Sequence, residues 1–175
     1  NLMRETRVVE GGNSTSLHFN DQSYINFSSN DYLGLANDPD VIAATHEFAS
    51  NYGVGSGGSS LVTGHSSHHQ YLQSLIGDIT QMESCLLFTS GFSANSGVIS
   101  TLLNSGDLLL QDKLNHASLM DAGMHSSAIM KRFMHNDLTR LGQLLEKSDT
   151  VDNRLIVTEG VFSMDGDRGD LQGIS

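Results

Sequence analysis

Apolar residues follow two different periods along this chain, and the order in which those periods occur predicts its architecture. Leu17 and Phe19, then Tyr24, Ile25 and Phe27, flank Asn20-Asp21. Apolar positions that alternate about such a dipeptide predict a β-hairpin with a two-residue turn. The polar run that follows, Ser28-Ser29-Asn30-Asp31, is expected to be a loop held by side-chain hydrogen bonds. Val41, Ala44, Thr45, Phe48 and Tyr52 recur at helical spacing behind Asp38-Pro39. There the aspartate suits an N-cap and the proline the first helical position. Another helix, capped by Ser66 or Ser67, carries Tyr71, Leu72, Leu75, Ile76 and Ile79 on one face.

The pattern then becomes regular. Leu86-Leu87-Phe88 predicts a short apolar strand opened by Cys85, and Ser90-Gly91-Phe92 leads into a helix bearing Val98, Ile99, Leu102 and Leu103. Further strands are expected over 107–111, 128–133 and 154–158. Between them lie a short helix after Asn115-His116 and an amphipathic helix with Leu138, Leu141, Leu144 and Leu145, capped by Asn136 or Asp137. Apolar strands alternating with amphipathic helices imply an α/β fold of three layers, its sheet mainly parallel and covered on both faces. Ligands in such sheets bind at the carboxyl ends of the strands. Three polar clusters fall there: Ser90-Gly91-Phe92, Asn115-His116 and the stretch 159–167. They are expected to converge on one site.

Charge and composition narrow the choice of ligand. With 20 acidic against 9 basic residues and a formal charge of −11, the chain lacks the basic footprint that nucleic-acid phosphates require. Anionic small molecules are not excluded, because they respond to local donors. The lone Cys85 rules out an internal disulfide, suits a reducing cytoplasm, and is expected to be a small core residue. No apolar run approaches the length of a membrane span and no signal-peptide pattern is present. The chain is expected to be part of a longer polypeptide.

Four stretches invite specific chemistry. Gly91 at a helix start gives close backbone access beside unpaired N–H groups and a positive dipole end, a site for an anion such as a phosphate. Gly53, Gly55 and Gly58 match the dinucleotide fingerprint in spacing, but they follow a helix where the fingerprint must follow a strand. His65, His68 and His69 share a helix face without a carboxylate or cysteine at ligand spacing, so no metal is expected. Gly91-Phe92-Ser93-Ala94-Asn95 nearly reproduces the nucleophile elbow of α/β-hydrolases, with Ser93 as nucleophile. Its last glycine is replaced by Asn95, and no acid-then-histidine order follows in the right loops.

Taken in order, the run 26–35, Gly55-Ser56-Gly57-Gly58-Ser59, Ser90-Gly91-Phe92, Asn115-His116-Ala117-Ser118 and the run 158–167 resemble the α-oxoamine synthases. These are pyridoxal-phosphate enzymes that condense an amino acid with an acyl thioester. The resemblance extends over about residues 4–175. It implies the large domain of a fold type I pyridoxal-phosphate transferase, with an N-terminal arm and hairpin over 1–36 and the first part of the cofactor-binding domain over 37–175. It places Gly91 and Phe92 beside the cofactor's phosphate and stacks His116 on its ring, where that histidine also handles protons and the substrate carboxylate. Ser163 matches the residue that bonds the ring hydroxyl, with Glu159 in the same loop. Arg4 matches a residue at the acyl-thioester entrance, and Asn30 one facing the amino-acid carboxylate. Ser90-Gly91-Phe92 and Gly57-Gly58-Ser59 favour the branch that joins L-alanine to a pimeloyl thioester in biotin biosynthesis. Glycine acetyltransferase, 5-aminolevulinate synthase and serine palmitoyltransferase share the frame. The family's Schiff-base lysine and the acid that pairs with the ring nitrogen are expected beyond Ser175, since Lys113, Lys131 and Lys147 do not stand in the lysine motif. These 175 residues alone are therefore expected to be inactive. The resemblance further implies a homodimer, with the glycine-rich run 53–58 approaching the partner's site.

Overall fold

The structure, a computed structural model, describes residues 3, 5–12, 14–148 and 150–175. They form two compact units, 1–66 and 67–175. In the first unit, strands β1 (Ser16–Phe19) and β2 (Gln22–Ile25) form the expected antiparallel hairpin, with Phe19 opposite Gln22. Asn20 and Asp21 both adopt positive φ, 49° and 58°, as the mirror-image turn that matches strand twist requires. Side chains hold the loop that follows. Ser29 Oγ accepts from the Asp31 amide at 3.0 Å, and the Asp31 carboxylate accepts from the amides of Leu35 and Ala36. Helix α1 (Pro39–Tyr52) begins as its sequence predicts, Asp38 accepting from the amides of Asp40 and Val41. It ends at Gly53, whose φ of 78° suits a residue without Cβ. The glycine-rich run thus follows a helix, which removes the dinucleotide reading on the structure as well.

The second unit opens with α2 (Ser67–Thr80) and α3 (Gly91–Leu102). The alternating segments come next: β3 (Leu108–Asp112), α4 (Ala117–His125), β4 (Ile129–Phe133), α5 (Leu138–Glu146) and β5 (Arg154–Val157), with a short α6 (Leu171–Ile174). The strands lie in the order β4-β3-β5, all parallel. Central β3 is buried along its whole length. Leu108 and Leu110 pack with Phe133, Leu141 and Leu144 on the α5 side. Leu109 packs with Ile99, Leu103 and Ala122 on the side of α3 and α4. The alternation of β3 therefore feeds two cores, and the three-layer expectation holds.

One expected strand is missing. Residues 84–88 run without strand structure, Leu86 being 81% exposed. Strand structure needs a neighbouring backbone to pair with; among the described residues none pairs with these, and the Cys85 carbonyl accepts instead from Gln73 Nε2 at 2.8 Å. The Phe88 ring instead lies against Gly97 of α3. Cys85, expected in a core, is half-buried within this run. No helix among the described residues is long and apolar enough to cross a membrane.

Two glycines should respond oppositely to alanine. A Cβ at Gly123 of α4 would press on the Gln111 side chain and stand 2.6 Å from Met130 Sδ and 3.0 Å from Leu109 Cδ2. Gly123→Ala should cost about 1–3 kcal/mol through overpacking. At Gly142 of α5 a Cβ meets nothing within 4 Å, so Gly142→Ala should gain about 0.5–1 kcal/mol of helix propensity. Urea unfolding midpoints of the two variants check both signs.

Candidate active site

The carboxyl ends of β3 and β5 lie side by side, and the polar residues just beyond them bond to one another. Asn115 Nδ2 donates to Val157 O at 2.8 Å. The backbone N–H of His116 donates to Glu159 Oε1. Two of the three expected clusters thus meet directly across neighbouring strand ends.

His116 is the N-cap of α4, and its ring takes the role that Ser or Asp usually plays. Nδ1 accepts from the Ser118 amide at 3.2 Å and lies 2.7 Å from Ser118 Oγ. With the amide donating to it, Nδ1 is an acceptor, so the ring proton resides on Nε2. Ser118 Oγ in turn accepts from Asn95 Nδ2 at 2.8 Å, and Ser118 is 1% exposed. Asn95 belongs to the second turn of α3, so this bond ties the helix that begins at Gly91-Phe92 to the cap of α4.

The N-terminus of α3 is open. Ser90 Oγ caps it by accepting from Ser93 N at 3.1 Å, Phe92 is about half exposed, and a Cβ built at Gly91 would meet nothing within 4 Å. Ser93 Oγ lies 3.0 Å from Ser90 Oγ and 3.5 Å from Thr89 Oγ1. Its described hydrogen bonds join it to hydroxyls and to no histidine, which removes the support for a hydrolase nucleophile.

Ser163 is exposed in the loop that also carries Glu159. Asn30 lies in the first unit, exposed, with its carbonyl accepting from Tyr32 N at 3.0 Å. Arg4 lies outside the described residues. Among the described residues, no group of three or more His, Cys, Asp or Glu is placed to hold a metal ion.

The sequence reading missed a second polar group at the end of β3. Asp112 is fully buried and accepts from the amides of Leu114 (2.8 Å) and Asn136 (3.0 Å). His135 Nδ1 stands 3.1 Å from both its oxygens, and His135 Nε2 stands 2.5 Å from Asp167 Oδ2. An aspartate closing a strand that opens with three leucines was the available signal, since such a charge must find partners. Asn95 and Ser118 had no comparable signal, being ordinary helix residues.

Residues 22–174 match the family aminotransferase class I and II. The 8-amino-7-oxononanoate synthase of Sodalis glossinidius is 51% identical over 172 residues, covering 98% of this chain and 44% of the relative. That of Aliivibrio fischeri is 53% identical over 169 residues, with 97% and 44% covered. Among solved structures, serine palmitoyltransferase from S. paucimobilis with PLP bound superposes with a TM-score of 0.90 at 31% identity, covering 97% of this chain and 43% of that one. The 8-amino-7-oxononanoate synthase of Francisella tularensis gives a TM-score of 0.72 at 28% identity, with 85% and 40% covered. The chain spans less than half the length of the curated relatives it matches.

Removing the Ser118 hydroxyl tests the cap. In Ser118→Ala, His116 Nδ1 keeps only the amide bond and Asn95 loses its acceptor, at a cost of about 1–2 kcal/mol. Imidazole ¹⁵N spectra should shift from a pure Nε2–H pattern towards a mixture of tautomers.

Proposed function

The chain belongs to the aminotransferase class I and II family, with the fold of type I pyridoxal-phosphate transferases, and from that premise we propose an α-oxoamine synthase activity for its whole protein. The reaction we assign is condensation of L-alanine with a pimeloyl thioester to give 8-amino-7-oxononanoate, carbon dioxide and the free thiol, as in biotin biosynthesis. The observation that carries this reading is the hydrogen-bonded junction of His116, Glu159 and Ser118 at the strand ends. Identity above 50% to relatives named for that product supports it.

The residues present fit pyridoxal 5′-phosphate on three observations. Open space stands over Gly91 at the N-terminus of a twelve-residue helix, where N–H groups and dipole suit a phosphate. His116 is exposed, yet its ring is fixed through Nδ1, as a stacking surface requires. Asn115 Oδ1 and Thr158 Oγ1, at the ends of β3 and β5, are buried without a hydrogen-bond partner among the described residues, which suits a site completed by polar groups from elsewhere.

When bound, the cofactor supplies an electron sink for the substrate α-carbon. The protein's part is positional. The Gly91 and Phe92 amides would hold the phosphate, with Ser90 fixing the helix start. The His116 ring would lie against the pyridine and present Nε2–H to the substrate carboxylate. Glu159, by accepting from the His116 amide, holds the loop after β5 at the site, and Ser163 would bond the ring hydroxyl. Asn30 and Arg4 are assigned to substrate binding, at the amino-acid carboxylate and the acyl-thioester entrance. In this reading residues 1–36 are an arm and 37–175 the first part of the cofactor-binding domain.

We place the protein in the cytoplasm as a homodimer. Gly53, Gly55 and Gly57 leave open space where a Cβ would stand, which suits close approach of a partner's backbone or ligand. Sedimentation of the active whole protein should give a dimer, and a fully active monomer would remove this assignment.

The activity is tested with the whole protein, L-alanine and a pimeloyl thioester, following carbon dioxide and the amino ketone. Turnover should far exceed that with glycine and an acetyl or succinyl thioester, the pairs expected of the sister branches. His116→Ala should lower kcat/KM for alanine by about 10²-fold and weaken cofactor binding. Unchanged kinetics would sink the role given to His116.

A further inference from the structure

His135 stands outside every role assigned above, yet it joins three separate segments. It follows β4 directly. Its Nδ1 faces the buried carboxylate of Asp112 at the end of β3, and its Nε2 meets Asp167 in the loop after β5. Its ring packs edge-on against Phe162, at 4.4 Å between centroids, and Phe162 is 1% exposed. Asn136, at a φ of 54°, completes the junction: its amide reaches Asp112, while its side chain donates to Arg168 O at 3.0 Å and accepts from Asp170 N at 3.3 Å. Within the loop, Phe162 N donates to Asp167 O and Gly166 N to Phe162 O, both at 2.8 Å. The loop returns on itself, since a Cβ at Gly169 would stand 2.5 Å from Glu159 O.

We propose that His135 is a positioning residue that clamps the loop 159–170, and with it Glu159 and Ser163, to the end of β3 by bridging Asp112 and Asp167. Its meaning for the cofactor rests on the reading of Glu159 and Ser163 given above. An imidazole facing carboxylates through both nitrogens donates from both only when protonated. The hydrogen bond to Asp167 raises His135 above its usual value, with Asp112 adding to it against the opposing effect of burial. Further charged groups adjoin these residues along the chain: Lys113 next to Asp112, with the Lys113 carbonyl accepting from Arg132, Asp137 after Asn136, and Asp165, Arg168 and Asp170 near Asp167. A group with a raised pKa contributes its stabilisation fully below its unfolded value, near 6.5. That contribution is lost as pH rises through the raised value. The clamp should therefore be tight in mild acid and loosen towards alkaline pH.

The experiment uses the whole protein and reads amide hydrogen exchange at Phe162 and Gly166 as protection factors, which removes the intrinsic pH dependence of exchange. In the parent protein protection should fall as pH rises through the His135 titration, followed by NMR above 6.5. Asp167→Ala should lower protection about tenfold in mild acid, the size a charge-assisted hydrogen bond supports, and weaken pyridoxal-phosphate binding several-fold. Asp167→Asn can still bond a neutral imidazole, so it should restore much of the protection while weakening its pH dependence, Asp112 remaining as the charged partner. Protection that is flat with pH, or equal in Asp167→Ala and the parent, overturns the proposal. So does weaker cofactor binding with unchanged exchange, which would mean that Asp167 acts on the cofactor directly. Looser exchange with unaltered cofactor affinity removes the positioning role. If the parent protein binds no pyridoxal phosphate, the functional reading fails, while the exchange measurements still decide the clamp.

Discussion

Burial of β3 on both faces is the constraint from which the rest of the second unit follows. Three leucines at its centre are each no more than 1% exposed, and each contributes about 1.5–3 kcal/mol by leaving water. Such a strand leaves no solvated face on which a polar side chain can rest. Its last two residues are nevertheless Gln111 and Asp112, both fully buried. Their desolvation must be offset by specific bonds. Gln111 Nε2 donates to Leu119 O in α4, and Asp112 takes its donors from the turn after β3 and from the start of the segment after β4. The strand that anchors the core thereby dictates where the neighbouring loops begin.

That arrangement ties the carboxyl end of the sheet to its neighbours at several points where chemistry is proposed. α4 is fixed at two places. Gly123 lets it approach the sheet closely beneath Leu109 and Met130, and His116 with Ser118 fastens its first turn to α3 and to the loop after β5. A site built from helix caps and strand ends inherits the precision of those elements. Loops pinned at a single point would not hold a ring and a phosphate in a fixed relation.

Much of this was legible because local signals agreed with the global fold. Asn20-Asp21, Asp38-Pro39, Ser90 and Asp137 each terminate or begin an element as their chemistry dictates, and the strand–helix alternation after Gly91 is strong. The segment 84–88 misled for a physical reason: apolar composition reports a wish for burial, whereas strand structure also requires a neighbour to hydrogen-bond with. Leu86 and Phe88 carry the first property without the second. The polar junctions were hidden for another reason. Asn95, Ser118 and Asp167 are of residue types common on surfaces; Asn95 and Ser118 bond each other across 23 positions, and Asp167 meets His135 across 32. No periodicity marks such pairs.

The two histidines show how neighbours and not residue type set a role. His116 Nδ1 faces donors, the Ser118 amide among them, so the ring keeps one proton on the outward nitrogen and can offer it to a ligand. His135 faces carboxylates through both nitrogens, so the charged form is favoured and the ring serves as a bridge. Exchange of the surroundings would exchange the roles. A ring with acceptors on both sides has no free N–H to present, and a ring with a donor on Nδ1 cannot bridge two carboxylates. The clamp and the proposed stacking residue therefore depend on different features of the same sheet end: the buried charge that terminates β3, and the helix cap that begins α4.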